Sequence, residues 1–566
     1  MILTIINWIY VLTLSYVLGS GLVSLIKKVT GYKIADWGMV IVSGIMLLTV
    51  YAQYFSIFAP VGKWANIILC VVTLCVLIIC RKTIRSNVAK CVVYIKKVDR
   101  KAVFWVFFNS LIVLGFVVLA CQKATHPDTD GYHAQTVRWI EDYGAIKGIG
   151  NLYHRLAYNS SFLNLQALFS WKFAINQSMH VMNGFLCCVM FLYALNGILL
   201  ENRGLLGKLF RGLMLLFIVL PASLSVMASP NTDTWALMLT VFILIKWCDY
   251  LAEKDFSPVP YAVLAVFMVY AISVKLSTTF LIFLVIKPTI QLIKEKEWKL
   301  VIFFVVAGFL VIFPFLCRNV IISGYLIYPY NYIDVFNVDW KMLPSVVECD
   351  RKEIMVWGRA LNDISKSDYH LWEWFPIWWR NQANWLRGLM VVNIALLLPG
   401  FLMLFNCIRK KKYDAALLLI EAFILLMGWI LTAPMQRFGV VFVFLIPIIE
   451  IGLLFENTKW RKYYDIVIAI CMIALLGLSM IGAENISLKR PAYYIMRECD
   501  VIDWEGISVY ISRENGYMGY YYIPSTQYRD ILEFIELRGE SLQDGIRIKK
   551  EYQNIILDAD GNKVRN

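Results

Sequence analysis

Apolar runs of about 20 residues, separated by short polar segments, make up most of this chain. Inside a bilayer every backbone polar group must find its partner within the protein, so runs of this kind cross as helices. The composition agrees, because 60% of the residues are hydrophobic and only 17% are charged, far from the average of a soluble domain. The sequence therefore predicts an all-α polytopic membrane protein.

The runs predict about 12 to 14 transmembrane helices, with starts near residues 3, 37, 64, 103, 179, 212, 234, 259, 276, 300, 388, 415, 439 and 464. The first run begins at Met1 without a basic segment or a small-residue cleavage site, so we expect it to remain as a helix. Between Val259 and Ile290 the run carries Lys275 in its middle. Each half is short for a full crossing, which leaves a re-entrant pair open.

The net charge of +14 is distributed in short basic clusters between the runs, which is a topology signal and not a nucleic-acid footprint. No nucleic-acid partner is expected. The predicted cytoplasmic clusters are Lys27–Lys28, Arg81–Lys101, Arg203–Arg211, Lys294–Lys299, Arg409–Lys412 and Lys459–Lys462. The predicted opposite side receives residues 121–178, 229–233, Lys275, 318–387, 432–438 and the tail after Gly482.

This alternation divides the chain into six predicted parts. Transmembrane helices occupy residues 1–121, 179–317 and 388–482, and two extracytoplasmic loops occupy residues 122–178 and 318–387. Residues 483–566 are predicted to form a small α+β extracytoplasmic domain, with strands around Ile507–Ile511 and Tyr520–Ile523 and a helix near Asp530–Leu537.

Both predicted outer loops carry amphipathic or aromatic segments. The spacing within Tyr132–Tyr143 predicts a short amphipathic helix, and a similar apolar spacing continues from Phe162 to Phe173, so we expect two helices along the membrane surface. The second loop is rich in tryptophan and phenylalanine, which is typical of a headgroup belt or a sugar-stacking surface; its members are Trp372, Trp374, Phe375, Trp378, Trp379 and Trp385.

The first loop opens with the segment His126-Pro-Asp-Thr-Asp-Gly-Tyr-His133, which places two carboxylates and two imidazoles at one helix start. Such crowding can tune a general base, although an acid before a helix is equally an ordinary N-cap. The cysteines form no CxxC pair, and His133 and His154 have no ligand pattern beside them. We therefore predict no metal site and no disulfide scaffold.

The Asp-x-x-x-Tyr spacing of Asp128 and Tyr132 resembles the first-loop motif of the GT-C superfamily of membrane glycosyltransferases, with Asp130 one place after that motif's second acid. Most of the chain is similar to a less characterised bacterial family of GT-C-like membrane proteins. That likeness lies in residues 132–133, 150–160, 229–233, 318–319, 323–329, 433–434 and 437–438.

The resemblance implies an enzyme of the bacterial cytoplasmic membrane, with its active face and C-terminus extracytoplasmic. It would transfer a sugar, with inversion, from a polyprenyl-phosphate donor to a glycan, lipid or protein hydroxyl, and a divalent cation is left open. Asp128 and then Asp130 are the candidate bases, and Lys275, Arg318 and Arg437 are the candidate cations for the leaving phosphate. The candidate substrate contacts are Tyr132, His133, Arg155, Asn159 and Asp233.

Other interpretations stay open at this point. The three cations also fit simple snorkelling, Asp233 also fits a helix cap, and Glu421 and Glu450 within apolar runs fit helix packing or lipid-phosphate passage. A polysaccharide polymerase or ligase is one rival function, and a scaffold of envelope assembly is another. A transporter or flippase would carry paired broken helices, and the sequence shows only the interruption at Lys275.

Overall fold

The computed structural model describes residues 1–86, 100–201, 203–455, scattered positions between 465 and 477, 491, 494–514 and 516–563. Within these ranges ten helices are long and apolar enough to cross a membrane: Ile2–Thr30, Trp37–Phe58, Ala102–Ala120, Met182–Leu199, Asp233–Glu253, Leu276–Lys294, Trp298–Ser323, Asn384–Arg409, Tyr413–Leu431 and Gln436–Phe455. Three shorter apolar helices accompany them, Lys63–Ile79, Leu205–Val219 and Pro258–Val274. The chain thus has the helices of a multi-pass membrane protein, and the structure describes only scattered positions of the span predicted near residue 464.

The first two helices cross at a pair of glycines. A Cβ on Gly19 would lie 1.9 Å from the Val40 carbonyl oxygen, and a Cβ on Gly44 would lie 1.9 Å from the Ser15 carbonyl oxygen. Neither position has room for a side chain, so the backbones of Ile2–Thr30 and Trp37–Phe58 touch there. Small residues allow this close approach where lipid supplies no hydrophobic force between helices.

The interruption at Lys275 is present in the structure. Helix Pro258–Val274 begins with the Ser257 side chain as its cap and a proline in its first turn, and it ends at Lys275, whose backbone is extended. The chain continues as a 3-10 helix over Leu276–Val285 and an α-helix over Ile286–Lys294. Lys275 therefore occupies the bend between two helices.

The first loop is built into the helix bundle. Helix Ala134–Asp142 is followed by 3-10 turns at Ile149–Asn151 and His154–Ala157, and then by helix Ser161–Leu168. All eight residues of Ser161–Leu168 are buried, so the expectation that this helix lies along the membrane surface is wrong. Its end is held by two spans, because the Asn7 and Asn66 amides donate to the carbonyls of Phe169 and Leu168 at 2.9 and 3.0 Å.

The second loop forms helices Pro344–Gly358 and Leu371–Asn381, joined by a 3-10 turn at Ile364–Lys366. Trp374 and Trp378 on the second helix are buried in the protein core, whereas Trp372 is exposed. A uniform tryptophan belt is therefore not what this loop forms. One helical period separates the two buried rings, and this places them on the face that packs against the bundle.

The C-terminal segment contains two small sheets. Strands β1 (Cys499–Trp504) and β2 (Ile507–Ser512) pair antiparallel, and β2 pairs parallel with β3 (Ser525–Thr526). Strands β4 (Ile535–Leu537) and β5 (Ile546–Ile548) form the second, antiparallel sheet. The sheet content predicted for this segment is confirmed.

Two details of that prediction are wrong. Residues 520–523 form no strand, because their backbone contacts the first loop: the Arg138 guanidinium donates to the Tyr520 carbonyl at 2.8 Å. The helix predicted over Asp530–Leu537 extends only over Ile531–Phe534, and its remaining residues enter β4. Tertiary pairing overrides the local periodicity at both places.

A buried ion pair ties two helices of the bundle together. The Arg211 guanidinium donates to both carboxylate oxygens of Asp249 at 2.8 Å, and both side chains are almost fully buried. The Lys246 ammonium also contacts Asp249, at 3.1 Å. Removal of this carboxylate leaves two cations buried without their shared partner.

We expect Asp249→Ala to lower the free energy of unfolding by about 3–5 kcal/mol, because uncompensated buried charge is costly. Denaturant unfolding of the purified protein in detergent measures this. The partly exposed pair of Glu348 and Arg351 supplies the control, and Glu348→Ala is expected to cost less than about 1 kcal/mol. Equal losses in the two variants would contradict the assignment.

Candidate functional site

Asp128 stands at the start of the helical part of the first loop. It precedes a five-residue π-helical turn, Thr129–His133, which leads into helix Ala134–Asp142. π-helical turns are rare and concentrate at functional sites. The Thr129 hydroxyl lies 2.5 Å from the Ser229 hydroxyl, so the start of this turn is fixed to the loop that precedes helix Asp233–Glu253.

Asp233 is the second carboxylate at this place. The side chain of Asn231 caps helix Asp233–Glu253, accepting from the backbone N–H groups of Asp233 and Thr234 at 2.9 and 3.2 Å. The residue whose side chain caps this helix is therefore Asn231, and not Asp233 as the sequence suggested. The Asp233 carboxylate is free of that task and is paired with the Lys275 ammonium.

Arg437 lies in the first turn of helix Gln436–Phe455, directly after the turn that follows helix Tyr413–Leu431. Two buried tryptophans hold this turn: the Trp378 indole donates to the Pro434 carbonyl, and the Trp429 indole donates to the Met435 carbonyl, both at 2.9 Å. The sequence shows aromatic density here, but only the fold explains its use. Arg437 is positioned by rings that come from two different segments.

These groups meet in what we call the Asp128 cluster, composed of Asp128, Asp233, Lys275 and Arg437. One Arg437 nitrogen lies 2.5 Å from Asp128, and its Nε lies 3.9 Å from Asp233. The Lys275 ammonium sits over the Phe438 ring, 4.2 Å from its centre. Four residues that the sequence places in four separate segments thus share one site.

The cluster has a buried side and an exposed side. The Asp233 side chain is 8% exposed and that of Arg437 is 38% exposed, and the exposed fractions of Asp128 and Lys275 lie between these two values. The two acids and two cations balance in formal charge. An anionic ligand that reaches Arg437 from the exposed side would therefore compete with Asp128 for the guanidinium.

Charge and burial set the protonation states around Asp128. Burial favours its neutral form, but the Arg437 guanidinium and the neighbouring histidines outweigh burial and lower the pKa of Asp128 to about 2. Burial lowers the pKa of His133 to about 3 and that of His126 below its usual value. Asp128 is thus a carboxylate between two neutral imidazoles at physiological pH.

Tyr132, His133 and Arg155 lie around the cluster. The Tyr132 ring contacts His133 and Tyr158, with ring centres 4.3 and 5.5 Å apart. Burial raises the pKa of Tyr132, and both Asp128 and Arg155 act on this group electrostatically. Arg155 makes no ion pair with a carboxylate in the described ranges, so it adds positive charge beside the cluster.

Arg318 and Asn159 form a separate pair. Arg318 donates to the Asn159 side-chain oxygen at 3.3 Å and to the Ser56 hydroxyl at 2.5 Å. No carboxylate pairs with Arg318 in the part of the chain that the structure describes, and its side chain is buried. The expectation that Lys275, Arg318 and Arg437 form one contact group holds for Lys275 and Arg437 only.

Asp130 is directed away from Asp128. Its carboxylate pairs with Arg497 at 2.6 Å, and its backbone carbonyl accepts from Met518 and Gly519. Residues two apart on a helical turn do not face each other, so the two acids serve different neighbours. The structure therefore does not bring Asp130, the second candidate base, together with Asp128, and Asp130 contacts the C-terminal segment instead.

A second set of polar side chains lies next to Tyr158, whose hydroxyl donates to Asp350. His154, Asp350 and Glu353 each offer a ligand atom, and these atoms lie within 4.8 Å of one another. The sequence predicted no metal site here, yet these three side chains lie close enough together to hold a cation. Sequence reasoning missed the group because His154 and Asp350 come from different loops.

Burial governs the ionisation of this second group. It lowers the pKa of His154 to about 3, and it raises the pKa of Asp350 to about 6 and that of Glu353 to about 7. In each case the uncharged form is the one that burial favours. Keeping these two carboxyl groups ionised without a nearby cation therefore costs free energy.

Other contributors also escaped the sequence-based prediction. Arg497 has no local signal, because its partner Asp130 is distant in sequence. Trp378 and Trp429 each act through one indole hydrogen bond to a backbone carbonyl, and Asn231 acts through its two cap hydrogen bonds. His126 was detectable, since it lies two positions before Asp128 and is adjacent to it in the structure.

Together, the helices and the Asp128 cluster define a multi-pass membrane protein with a site of two acids and two cations at one end of its helix bundle. The chain belongs to the family described as "Domain of unknown function (DUF8201)", whose family model matches residues 1–444. Neither a search of the curated proteins nor one of the solved structures gives a match. The matched range contains all four residues of the Asp128 cluster.

The low pKa of Asp128 predicts how Asp128→Asn affects stability. Because the folded-state value of about 2 lies below the unfolded value of about 3.9, the carboxylate stabilises the fold above about pH 4 and loses this effect as pH falls towards 2. We expect Asp128→Asn to lower the melting temperature by a constant amount from pH 5 to 9.

That deficit should shrink below about pH 4. In an Arg437→Met background the deficit above pH 4 should itself be smaller, because the guanidinium no longer favours the charged form of Asp128. Thermal unfolding in detergent across this range measures both effects. A deficit that varies between pH 5 and 8 would contradict the assigned protonation states.

Proposed function

We propose that this protein is a GT-C-type glycosyltransferase that uses a polyprenyl-phosphate sugar as donor. One observation carries the proposal: Asp128 shares a site with Lys275 and Arg437, so a potential base lies beside two cations suited to a phosphate. The resemblance of Asp128 and Tyr132 to the GT-C first-loop motif supports it further. The proposed acceptor is a hydroxyl of a surface glycan, lipid or protein.

In the proposed reaction the acceptor oxygen attacks the anomeric carbon of the donor sugar. The bond from that carbon to the phosphate oxygen breaks, the acceptor proton passes to Asp128, and polyprenyl phosphate leaves with the bonding electrons. Attack opposite the leaving group inverts the anomeric centre, as in inverting sugar chemistry with water. No further reactant is needed for the balance.

The ion pair with Arg437 sets the order of events. A carboxylate with a pKa of about 2 is a weak base, so Asp128 gains basicity only when Arg437 turns to another anion. The donor phosphate is that anion in this proposal. Donor binding would thus both place the sugar and raise the proton affinity of Asp128, which prevents proton uptake before the donor is present.

Lys275 has a complementary part. It stands at the bend between two helices, held by Asp233 and by the Phe438 ring. Positive charge fixed at that place stabilises the negative charge that develops on the leaving phosphate without rearrangement. Arg155 adds charge beside Tyr132, where we place the sugar and acceptor hydroxyls.

The test is sugar transfer in reconstituted membranes, with polyprenyl-phosphate sugars as donors and extracted envelope lipids and glycans as acceptors. We expect Asp128→Asn to reduce transfer by at least about 100-fold, within the usual range for loss of a general base. The exposed acid Asp363, whose side chain pairs in the described part of the chain only with Ser365 and Lys366, supplies the control, and Asp363→Asn should retain wild-type transfer. Full transfer by folded Asp128→Asn would contradict the proposal.

A second candidate function is movement of a lipid-linked sugar across the membrane. The structure reveals a partner for the Lys275 bend that the sequence had not shown: helix Gln436–Phe455 is also irregular, with a 3-10 segment at Val440–Phe444 directly after Arg437. Two irregular helices that meet at a charged site are a feature of transporters. Transbilayer movement of a labelled lipid-linked sugar in vesicles, without any covalent product, would favour this candidate.

A further inference from the structure

We propose that His154, Asp350 and Glu353 form a binding site for one divalent transition-metal ion of the Mn²⁺ or Zn²⁺ type. We call these three residues the His154 site. It shares no residue with the Asp128 cluster, and the proposed sugar transfer assigns it no task. The proposal therefore goes beyond that function and does not depend on it.

The geometry gives the ligands. One ligand atom from each residue lies within 4.8 Å of the others, a spread that a cation with nitrogen and oxygen bonds of about 2.0–2.2 Å can span. His154 Nε2 lies 3.6 Å from Asp350 Oδ1, too far for a hydrogen bond. The two groups are close but not bonded to each other.

The histidine is the observation that points to a ligand. His154 is 2% exposed, and neither of its ring nitrogens has a hydrogen-bond partner among the residues that the structure describes. The backbone of Ala559 is near the ring but outside hydrogen-bonding geometry. A buried polar group without a partner costs about 1–3 kcal/mol, and a metal ion bound by one ring nitrogen removes part of that cost.

The carboxylates are also arranged for a cation. Glu353 has neither a hydrogen bond nor an ion pair to any residue that the structure describes, although Asp350, Asp558 and Asp560 all surround it electrostatically. Arg155 is the one cation that acts on both Asp350 and Glu353. Four acids against one arginine leave an excess of negative charge at this place.

Asp350 has the supporting contacts that metal ligands normally have. The hydroxyls of Tyr158 and Tyr328 donate to its two carboxylate oxygens at 2.5 and 2.6 Å. Each oxygen keeps a lone pair for a metal, and the hydrogen bonds fix the orientation of the carboxylate. Such outer contacts orient ligands and tune metal affinity.

The ligand types select the metal class. An imidazole nitrogen favours Zn²⁺ and its neighbours over the alkaline-earth ions, whereas carboxylates also suit Mn²⁺. Mg²⁺ and Ca²⁺ prefer sites made only of oxygen. The site has no thiolate ligand, so it differs from the cysteine-rich sites of structural zinc.

The His154 site joins separate parts of the chain. His154 belongs to the first loop, Asp350 and Glu353 belong to helix Pro344–Gly358 of the second loop, and the C-terminal segment lies alongside. A cavity next to His154 is lined by Asp558, Asp560 and Tyr528. A bound ion would therefore fasten the two loops together beneath the C-terminal segment.

The test uses the full-length protein in detergent, stripped with a chelator and titrated with Mn²⁺ while electron paramagnetic resonance reports the free ion. We expect one Mn²⁺ per chain, displaced by Zn²⁺ but not by equal amounts of Mg²⁺ or Ca²⁺. Glu353→Gln and His154→Gln should each weaken binding by at least about tenfold. Asp363→Asn, an exposed acid of the same loop, is the matched control and should bind as wild type.

Folding is checked by the melting temperature without metal, which Glu353→Gln should leave unchanged or raise because it removes a partly buried acid that has no partner among the described residues. With metal, the wild type should gain stability and Glu353→Gln should not. No binding by the wild type, or wild-type affinity in both ligand variants, would overturn the proposal. The titration contains no sugar donor, so its outcome is independent of transfer activity.

Discussion

Opposite charges that cannot be buried singly hold the functional end of this protein together. Asp233 pairs with Lys275, Arg437 approaches both Asp233 and Asp128, and each partner offsets the desolvation of the next. The surrounding elements follow from that requirement. A bend in the chain at residue 275, a turn held by tryptophan indoles and a π-helical turn all bring their charged group to the same place.

This arrangement explains why part of the first loop is buried within the helix bundle. The Ser160 hydroxyl donates to the carbonyl of Val274 at 2.7 Å, and the Ser273 hydroxyl donates to the Ser161 hydroxyl at 2.9 Å. The loop thereby holds the end of the helix that presents Lys275. Fixed charges in a site of low dielectric constant act more strongly than mobile ones in water, so the scaffold and the proposed chemistry depend on the same contacts.

The sequence predicted much of the fold but only part of the site. Apolar runs mark spans directly, and the alternation of basic clusters placed Asp128, Asp233, Lys275 and Arg437 on the same predicted side, where the structure brings them into contact. The predicted topology did not show that Asp130 points away from Asp128, or that Arg318 lies apart from Lys275. Topology predicts at which end of the bundle a residue lies, but not the direction of its side chain. The His154 site has no sequence signature, since its ligands meet only when two loops fold together.

The central claim is that Lys275 and Arg437 receive a lipid-borne phosphate. Native mass spectrometry of the protein with polyprenyl phosphate and with the uncharged polyprenol measures this most directly. The account predicts that the wild type binds the phosphate in preference to the alcohol and that Lys275→Met and Arg437→Met lose this preference while still binding lipid. An unchanged preference in both variants would contradict it.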